Sequence, residues 1–104
     1  MEKLMVISDG LYAGTGFSTL TREILSRVHG YRRIVLGKRY VGVPREVKGI
    51  TELEFKWHMT KTYIDNADPD IIVVVGAYPQ AKAFWDSVSM VKCPVLMYLA
   101  VDTR

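Results

Sequence analysis

Residues 8–25 read SDGLYAGTGFSTLTREIL, directly after the apolar run LMVI. Gly10, Gly14 and Gly16 fall within seven residues, and an amphipathic segment follows. Glycine tolerates φ > 0 but loses more conformational entropy on folding than other residues. A turn with this much backbone freedom is therefore either tight or closely approached by something else. At a strand-to-helix turn, the N–H groups of the helix N-terminus can face an anion. A Cβ at Gly14 or Gly16 would hold a phosphate or sugar away from that backbone, and Thr15 and Ser18 can add hydroxyl donors. Asp9 stands where an acidic residue binds a metal or a sugar hydroxyl, or starts a turn. The same glycines also have a purely structural reading, in which they let the helix pack close to the sheet. The loop departs from two known phosphate motifs. G-x-G-x-x-G would need glycine where Thr19 stands, no acidic residue closes the next strand, and no G-K-[ST] follows. A plain dinucleotide dehydrogenase and a P-loop ATPase are thereby disfavoured.

The elements that must position these residues follow from hydrophobic periodicity. Residues 4–7 are a short apolar run suited to a buried parallel strand. Phe17, Leu20, Ile24 and Val28 recur at helical spacing, with Leu25 widening the stripe. Thr15, Gly16 or Ser18 caps the start of this helix, and Gly30 ends it. Residues 33–37 form the second strand. Residues 38–55 hold two short β-prone pieces, around 40–43 and 50–55, separated by Pro44 and Gly49, and predict a small hairpin or irregular excursion. Residues 56–67 predict a helix with Trp57, Thr60 or Lys61, and Ile64 inward, closed where Asp68 precedes Pro69. IIVVV (71–75) is the clearest strand. A helix from Pro79 to about residue 91 and a strand over 93–101 complete the chain. This alternation predicts a Rossmann-like α/β fold: a doubly wound, mostly parallel five-stranded sheet with helices on both faces. Its strand order is third, second, first, fourth, fifth. Ligands bind such sheets outside the carboxyl ends of the strands, where the winding reverses. There the 8–16 loop should meet residues 76–79, including Tyr78, and Asp102 with its neighbours.

Composition narrows the function further. A chain of 104 residues, 49% of them hydrophobic, makes one domain with a modest core. The net charge of +3 is a mild bias. Arg32, Arg33, Lys38 and Arg39 form the densest basic cluster, which reads as solvated strand ends, and no nucleic-acid signature accompanies it. The single cysteine, Cys93, allows no internal disulfide, which fits a reducing, cytoplasmic setting. No apolar stretch reaches the roughly 18 residues of a membrane span, and no Cys/His cluster has metal-ligand spacing. His29 reads as a helix-end cation and Cys93 as a small buried hydrophobe. One Asn and one Gln in the whole chain suggest a thermophilic source.

GTGFSTLTREIL with the preceding VISDG resembles the start of the group 1 family of retaining glycosyltransferases, which have two Rossmann-like domains (the GT-B fold), and most of all its archaeal members. RYVGVPREVKGI resembles that family's excursion after the second strand. ADPDIIVVVGAYPQAKAFWDSV and CPVLMYLAVDTR resemble its "PD" strand and a later strand ending in Asp. The likeness covers nearly the whole chain but only about the first half of one family domain. It implies that Gly14, Thr15 and Gly16 lie over the donor diphosphate and near the acceptor. It also implies that Asp102 falls near a polar catalytic or acceptor-binding position. The family's nucleotide sugar, a substrate rather than a cofactor, is held mainly by a second domain, through basic residues and paired glutamates that these 104 residues do not contain. The expectation is the acceptor-side half of a hexosyltransferase that needs a second domain or partner chain. Two rival readings stand beside it: an inactive nucleotide- or sugar-binding module, and an assembly protein that kept the fold. A small, incomplete sheet leaves apolar surface, so a homodimer is expected in all three.

Overall fold

The first strand, β1 (Glu2–Asp9), is buried from Leu4 to Asp9, as a strand covered on both faces must be. The structure, a computed structural model, describes residues 2–38, 40–77 and 93–100. On one side β1 pairs in parallel with β2 (Tyr31–Lys38), and on the other with β5 (Ile71–Ala77). β2 continues to β4 (Ile50–Glu54), also parallel, and β5 continues to β6 (Val95–Ala100). A short antiparallel strand, β3 (Arg45–Val47), borders β4, so the order is β3-β4-β2-β1-β5-β6. This is a mostly parallel, Rossmann-like α/β sheet.

The strand count is six rather than five, because the excursion after β2 contributes a hairpin of its own. Val47 and Ile50 face each other across Lys48 and Gly49, which take φ of 50° and 81°. Positive φ at both central residues is what a two-residue type I′ hairpin requires, and its twist matches that of the flanking strands. The β-prone piece around residues 40–43 forms no strand. Pro44 lacks the N–H a ladder needs and restricts the residue before it, so pairing starts only at Arg45.

Side chains alternate across the sheet and divide the core into two layers. Leu4, Val6, Val35 and Val75 join Leu11 and Leu25 on the face covered by α1 (Gly16–Arg27). Met5, Ile7, Leu36, Ile72 and Val74 meet Ile64 of α2 (Thr60–Ala67) on the other. The helices therefore flank both faces. Phe17, Leu20 and Val28 pack against the first layer as their spacing predicts, while the deepest positions of α1 are Ser18, Thr21 and Leu25. Complete burial of a leucine such as Leu25 contributes roughly 1.5–3 kcal/mol. A 3₁₀ turn, Trp57–Met59, opens the second helical segment, and Thr60 and Ile64 point inward while Lys61 is exposed. Asp68 ends that segment in the left-handed region, donating its N–H to the Ile64 carbonyl at 2.9 Å. Asp70 then takes the Lys3 N–H on its carboxylate at 2.7 Å and donates its own N–H to the Lys3 carbonyl at 2.9 Å. This two-way link sets the start of β5 beside β1. The helix expected over residues 79–91 lies outside the described residues.

The β1–α1 turn presses on the end of β2. Gly10 donates its N–H to the Lys38 carbonyl at 2.6 Å. A Cβ on Gly37 would stand 2.8 Å from the Gly10 Cα, which is backbone and cannot swing aside. Gly37→Ala is therefore expected to lower stability by about 1–3 kcal/mol, the usual range for overpacking, measured as a reduced midpoint in urea unfolding with an unchanged slope.

Candidate functional site

β1 and β5 are neighbours, and the chain leaves them in opposite directions across the sheet. The winding reverses there, and the β1–α1 turn sits at the carboxyl end of β1. Ser8 and Thr21 anchor the helix to this end of the strand. Thr21 Oγ1 donates to Ser8 Oγ at 2.9 Å, and Ser8 Oγ donates to the Asp9 carbonyl at 2.8 Å. Both residues are completely buried, so the chain of hydroxyls replaces the water each has lost.

Thr15 is the N-cap of α1, with extended backbone (φ −100°, ψ 164°). Its Oγ1 accepts the Ser18 N–H at 3.1 Å and donates to Asp9 Oδ2 at 2.7 Å. Ser18 Oγ accepts the Thr15 N–H at 3.1 Å and donates to the Thr15 carbonyl at 2.8 Å. The pair forms a reciprocal capping box, with Ser18 in the place usually held by Glu or Gln. Sequence reasoning allowed both hydroxyls as ligand donors or as caps. The structure uses both as caps: Ser18 is wholly buried, and the Thr15 hydroxyl hydrogen is directed at Asp9. Asp9 closes the turn through that bond and is 9% exposed.

At positions 14 and 16 the turn presents backbone outward. Gly14 and Gly16 are both exposed, and a Cβ built on either meets no atom within 4 Å. Close packing of helix on sheet therefore requires neither glycine. Gly14 is required by its φ of +79°. Gly16, the first residue of α1, is required by neither packing nor a left-handed φ. The first turn of α1 carries no acidic side chain, so nothing on the helix itself offsets the partial positive charge of its N-terminus. Tyr78 and Asp102, the other two expected site residues, lie outside the described residues.

The structure adds groups that sequence reasoning missed. Glu52, on β4, has no exposed surface. Its Oε2 accepts the Leu11 N–H at 2.6 Å, while Arg45 sets Nε 2.7 Å and an Nη 2.6 Å from Oε1. The Arg45 guanidinium also lies 4.4 Å from the centre of the Tyr40 ring and 6.0 Å from that of Tyr12. Arg22 of α1 donates to the Leu11 carbonyl and sits 5.3 Å from the Tyr12 ring. The available signal was a glutamate at an inward position of a strand whose neighbour carries Gly37, a place with room for a carboxylate.

Lys38 ends β2 in register with Asp9, half-buried, with its Nζ 5.7 Å from the Phe55 ring. Desolvation pulls the ammonium pKa below its ordinary value, and the Asp9 carboxylate opposes that shift. At the opposite end of the strands, a groove of about 250 Å³ runs between α2 and the sheet past Lys3, Arg32, Leu53 and Tyr63. Lys3 Nζ is held there by the Ala67 carbonyl at 2.9 Å. Cys93 packs against the α2-side core, and burial pushes its thiol pKa up. Among the described residues, no group of three or more His, Cys, Asp or Glu is placed to hold a metal ion. Nor is any helix among them long and apolar enough to cross a membrane.

Two outcomes follow from this geometry. Thr15→Ala removes the cap and the Asp9 bond together, and should cost about 1–2 kcal/mol in chemical denaturation, whereas Thr15→Ser should retain most of that stability. Lys38 has a lowered pKa in the folded state, so the unfolded chain binds more protons in the window just below 10.5. Stability should rise with pH across that window, and Lys38→Met should flatten the rise when unfolding is followed from pH 8 to 10.5. No family model, no curated protein and no solved structure matches the chain.

Proposed function

We propose that this chain is the acceptor-side half of a sugar-transferring enzyme of the GT-B type. In this reading the Gly14–Gly16 turn holds the phosphates of a nucleotide-sugar donor, and a second domain or partner chain completes the donor site. The observation that carries the reading is the bare backbone at positions 14 and 16, at the N-terminus of α1, beside the reversal of winding. Sheets of this class take ligands at that place, and exposed backbone at a helix N-terminus suits a diphosphate, with the neighbouring Asp9 carboxylate held on the Thr15 hydroxyl. In a retaining transfer the leaving diphosphate gathers charge as the glycosidic bond to the donor breaks, and preorganised donors lower that barrier. The turn supplies backbone donors for this purpose. The resemblance assigns Asp102 to a polar catalytic or acceptor-binding position, and Tyr78 belongs to a segment expected at the same crevice; both lie outside the described residues. In the same reading the setting is cytoplasmic, where nucleotide sugars are substrates, and the source is a thermophile.

A second reading is a binding module without turnover. It is favoured by the commitment of the Thr15 hydroxyl to Asp9 and of the Ser18 hydroxyl to the Thr15 carbonyl, which leaves neither a hydrogen to offer a ligand. An assembly role draws on the exposed Val41 (80%), Val43 (77%) and Tyr12 (54%), apolar surface that a second copy of the chain can cover.

Thermal unfolding with UDP, GDP and their sugar conjugates separates these readings. A nucleotide present at about 100 times its Kd stabilises the native state by about 2.7 kcal/mol and should raise Tm by the order of 10 °C. Gly16→Val should abolish the rise while leaving the Tm of the free protein nearly unchanged, since its side chain enters open space. Transfer or hydrolysis of the bound sugar supports the enzyme, and binding without either supports the module. The absence of any shift, together with a dimer in sedimentation, supports assembly.

A further inference from the structure

The β1–α1 turn is held in part by a wholly buried carboxylate from a distant strand. Leu11, its one completely buried side chain in the described stretch 10–16, fixes the turn to the core, and the Leu11 N–H ends on Glu52 Oε2 at 2.6 Å. That acceptor belongs to β4, 41 residues away in sequence. The counter-charge for Glu52 belongs to neither the turn nor β4. It is Arg45, at the start of β3, whose side chain is 41% exposed. Arg45 is steered by the excursion between β2 and β4. Its guanidinium stacks on Tyr40, and the Tyr40 hydroxyl donates to the Val43 carbonyl, closing the 40–43 loop on itself. The same loop meets β4 again where the Gly42 N–H approaches Glu54 Oε2 at 3.4 Å.

We propose that Glu52 and Arg45 are positioning residues that couple the phosphate-facing turn to the 40–49 excursion. The coupling rests on the reading of the Gly14–Gly16 turn given above. A displaced excursion withdraws Arg45 and leaves a carboxylate buried without its counter-charge, an arrangement that is strongly unfavourable. Glu52 then has to reach for water, and the Leu11 N–H loses its acceptor. An excursion in place holds Arg45 on Glu52 and Glu52 on Leu11, and the turn is preset for its ligand before the ligand arrives. Linkage makes the effect reciprocal: a ligand that prefers the ordered turn also orders the excursion.

The experiment compares the wild-type chain with Arg45→Met, Arg45→Lys and the double variant Arg45→Met/Glu52→Gln. It measures UDP affinity by calorimetry and backbone amide exchange by NMR. Arg45→Met is expected to weaken UDP binding at least tenfold and to speed exchange of the Leu11 amide at least tenfold. The double variant, which removes the stranded charge and keeps an acceptor for Leu11, should return both to within about threefold of wild type. In the wild-type chain, saturating UDP should slow exchange across residues 41–49. A structural role alone would lower stability and leave the UDP affinity of the folded single variant unchanged. If Arg45→Met does not fold, Arg45→Lys, which keeps the cation but not the planar stacking on Tyr40, should move both readouts in the same direction. Wild-type UDP affinity and Leu11 exchange in the folded single variant would overturn the proposal, as would a double variant no better than the single one. If the wild-type chain does not bind UDP, the phosphate reading of the turn fails. The coupling is then judged by exchange alone: faster at Leu11 in the single variant and rescued in the double supports it, and unchanged exchange sinks it.

Discussion

The Glu52 carboxylate lies wholly out of water beneath the β1–α1 turn and holds that turn by accepting the Leu11 N–H. A buried carboxylate is costly unless it is paired and hydrogen-bonded, so its surroundings have to be built for it. Arg45 supplies the counter-charge from the edge hairpin. Gly37 and Gly10 supply the space: a Cβ on either would come within 3.3 Å of Glu52 Oε2. One group therefore ties together β2, β4, the excursion and the turn. The tight hairpin at Lys48–Gly49 belongs to the same arrangement, because it brings Arg45 opposite Glu52 in the antiparallel register.

The polar groups around the turn follow one logic. Thr21 bonds Ser8, Ser8 bonds the Asp9 carbonyl, Thr15 bonds Asp9, and Ser18 and Thr15 cap each other. Among the described residues no buried side-chain polar atom is left without a partner. These bonds point inward or along the turn and make it stiff. The outer surface of the turn is left as exposed backbone at Gly14 and Gly16, with no acidic group in the first helical turn. A turn tied down in this way leaves little to be ordered in the backbone it exposes at Gly14 and Gly16.

Much of the fold was legible because its signals are local. The continuous apolar runs at 4–7 and 71–75 became the central pair β1 and β5, and helical spacing from Phe17 became α1. Pro69 marked the end of α2, where Asp68 indeed leaves the right-handed helical region. The excursion was legible only as a kind of structure. Val41 and Val43 have strand propensity, yet Pro44 prevents pairing beside them, and the hairpin starts only at Arg45. The candidate site was half legible. The glycine turn stood out, but Thr15 and Ser18 have the same sequence signature whether they cap a helix or meet a ligand. Their roles depend on where Asp9 points, and spacing along the chain does not contain that.

The sequence by itself determined the order and type of β1, α1, β2, α2, β5 and β6 and the place where the winding reverses. Periodicity, proline and glycine act within a few residues, and right-handed crossovers leave few ways to arrange the result. The tertiary structure alone decided that Glu52 is buried, that Arg45 neutralises it, and that two hydroxyls are turned inward while the backbone at 14 and 16 faces out. Those outcomes depend on the register of strands distant in the chain. A shift of one residue in β4 would carry Glu52 to the opposite face of the sheet, and nothing in residues 50–54 alone fixes that register.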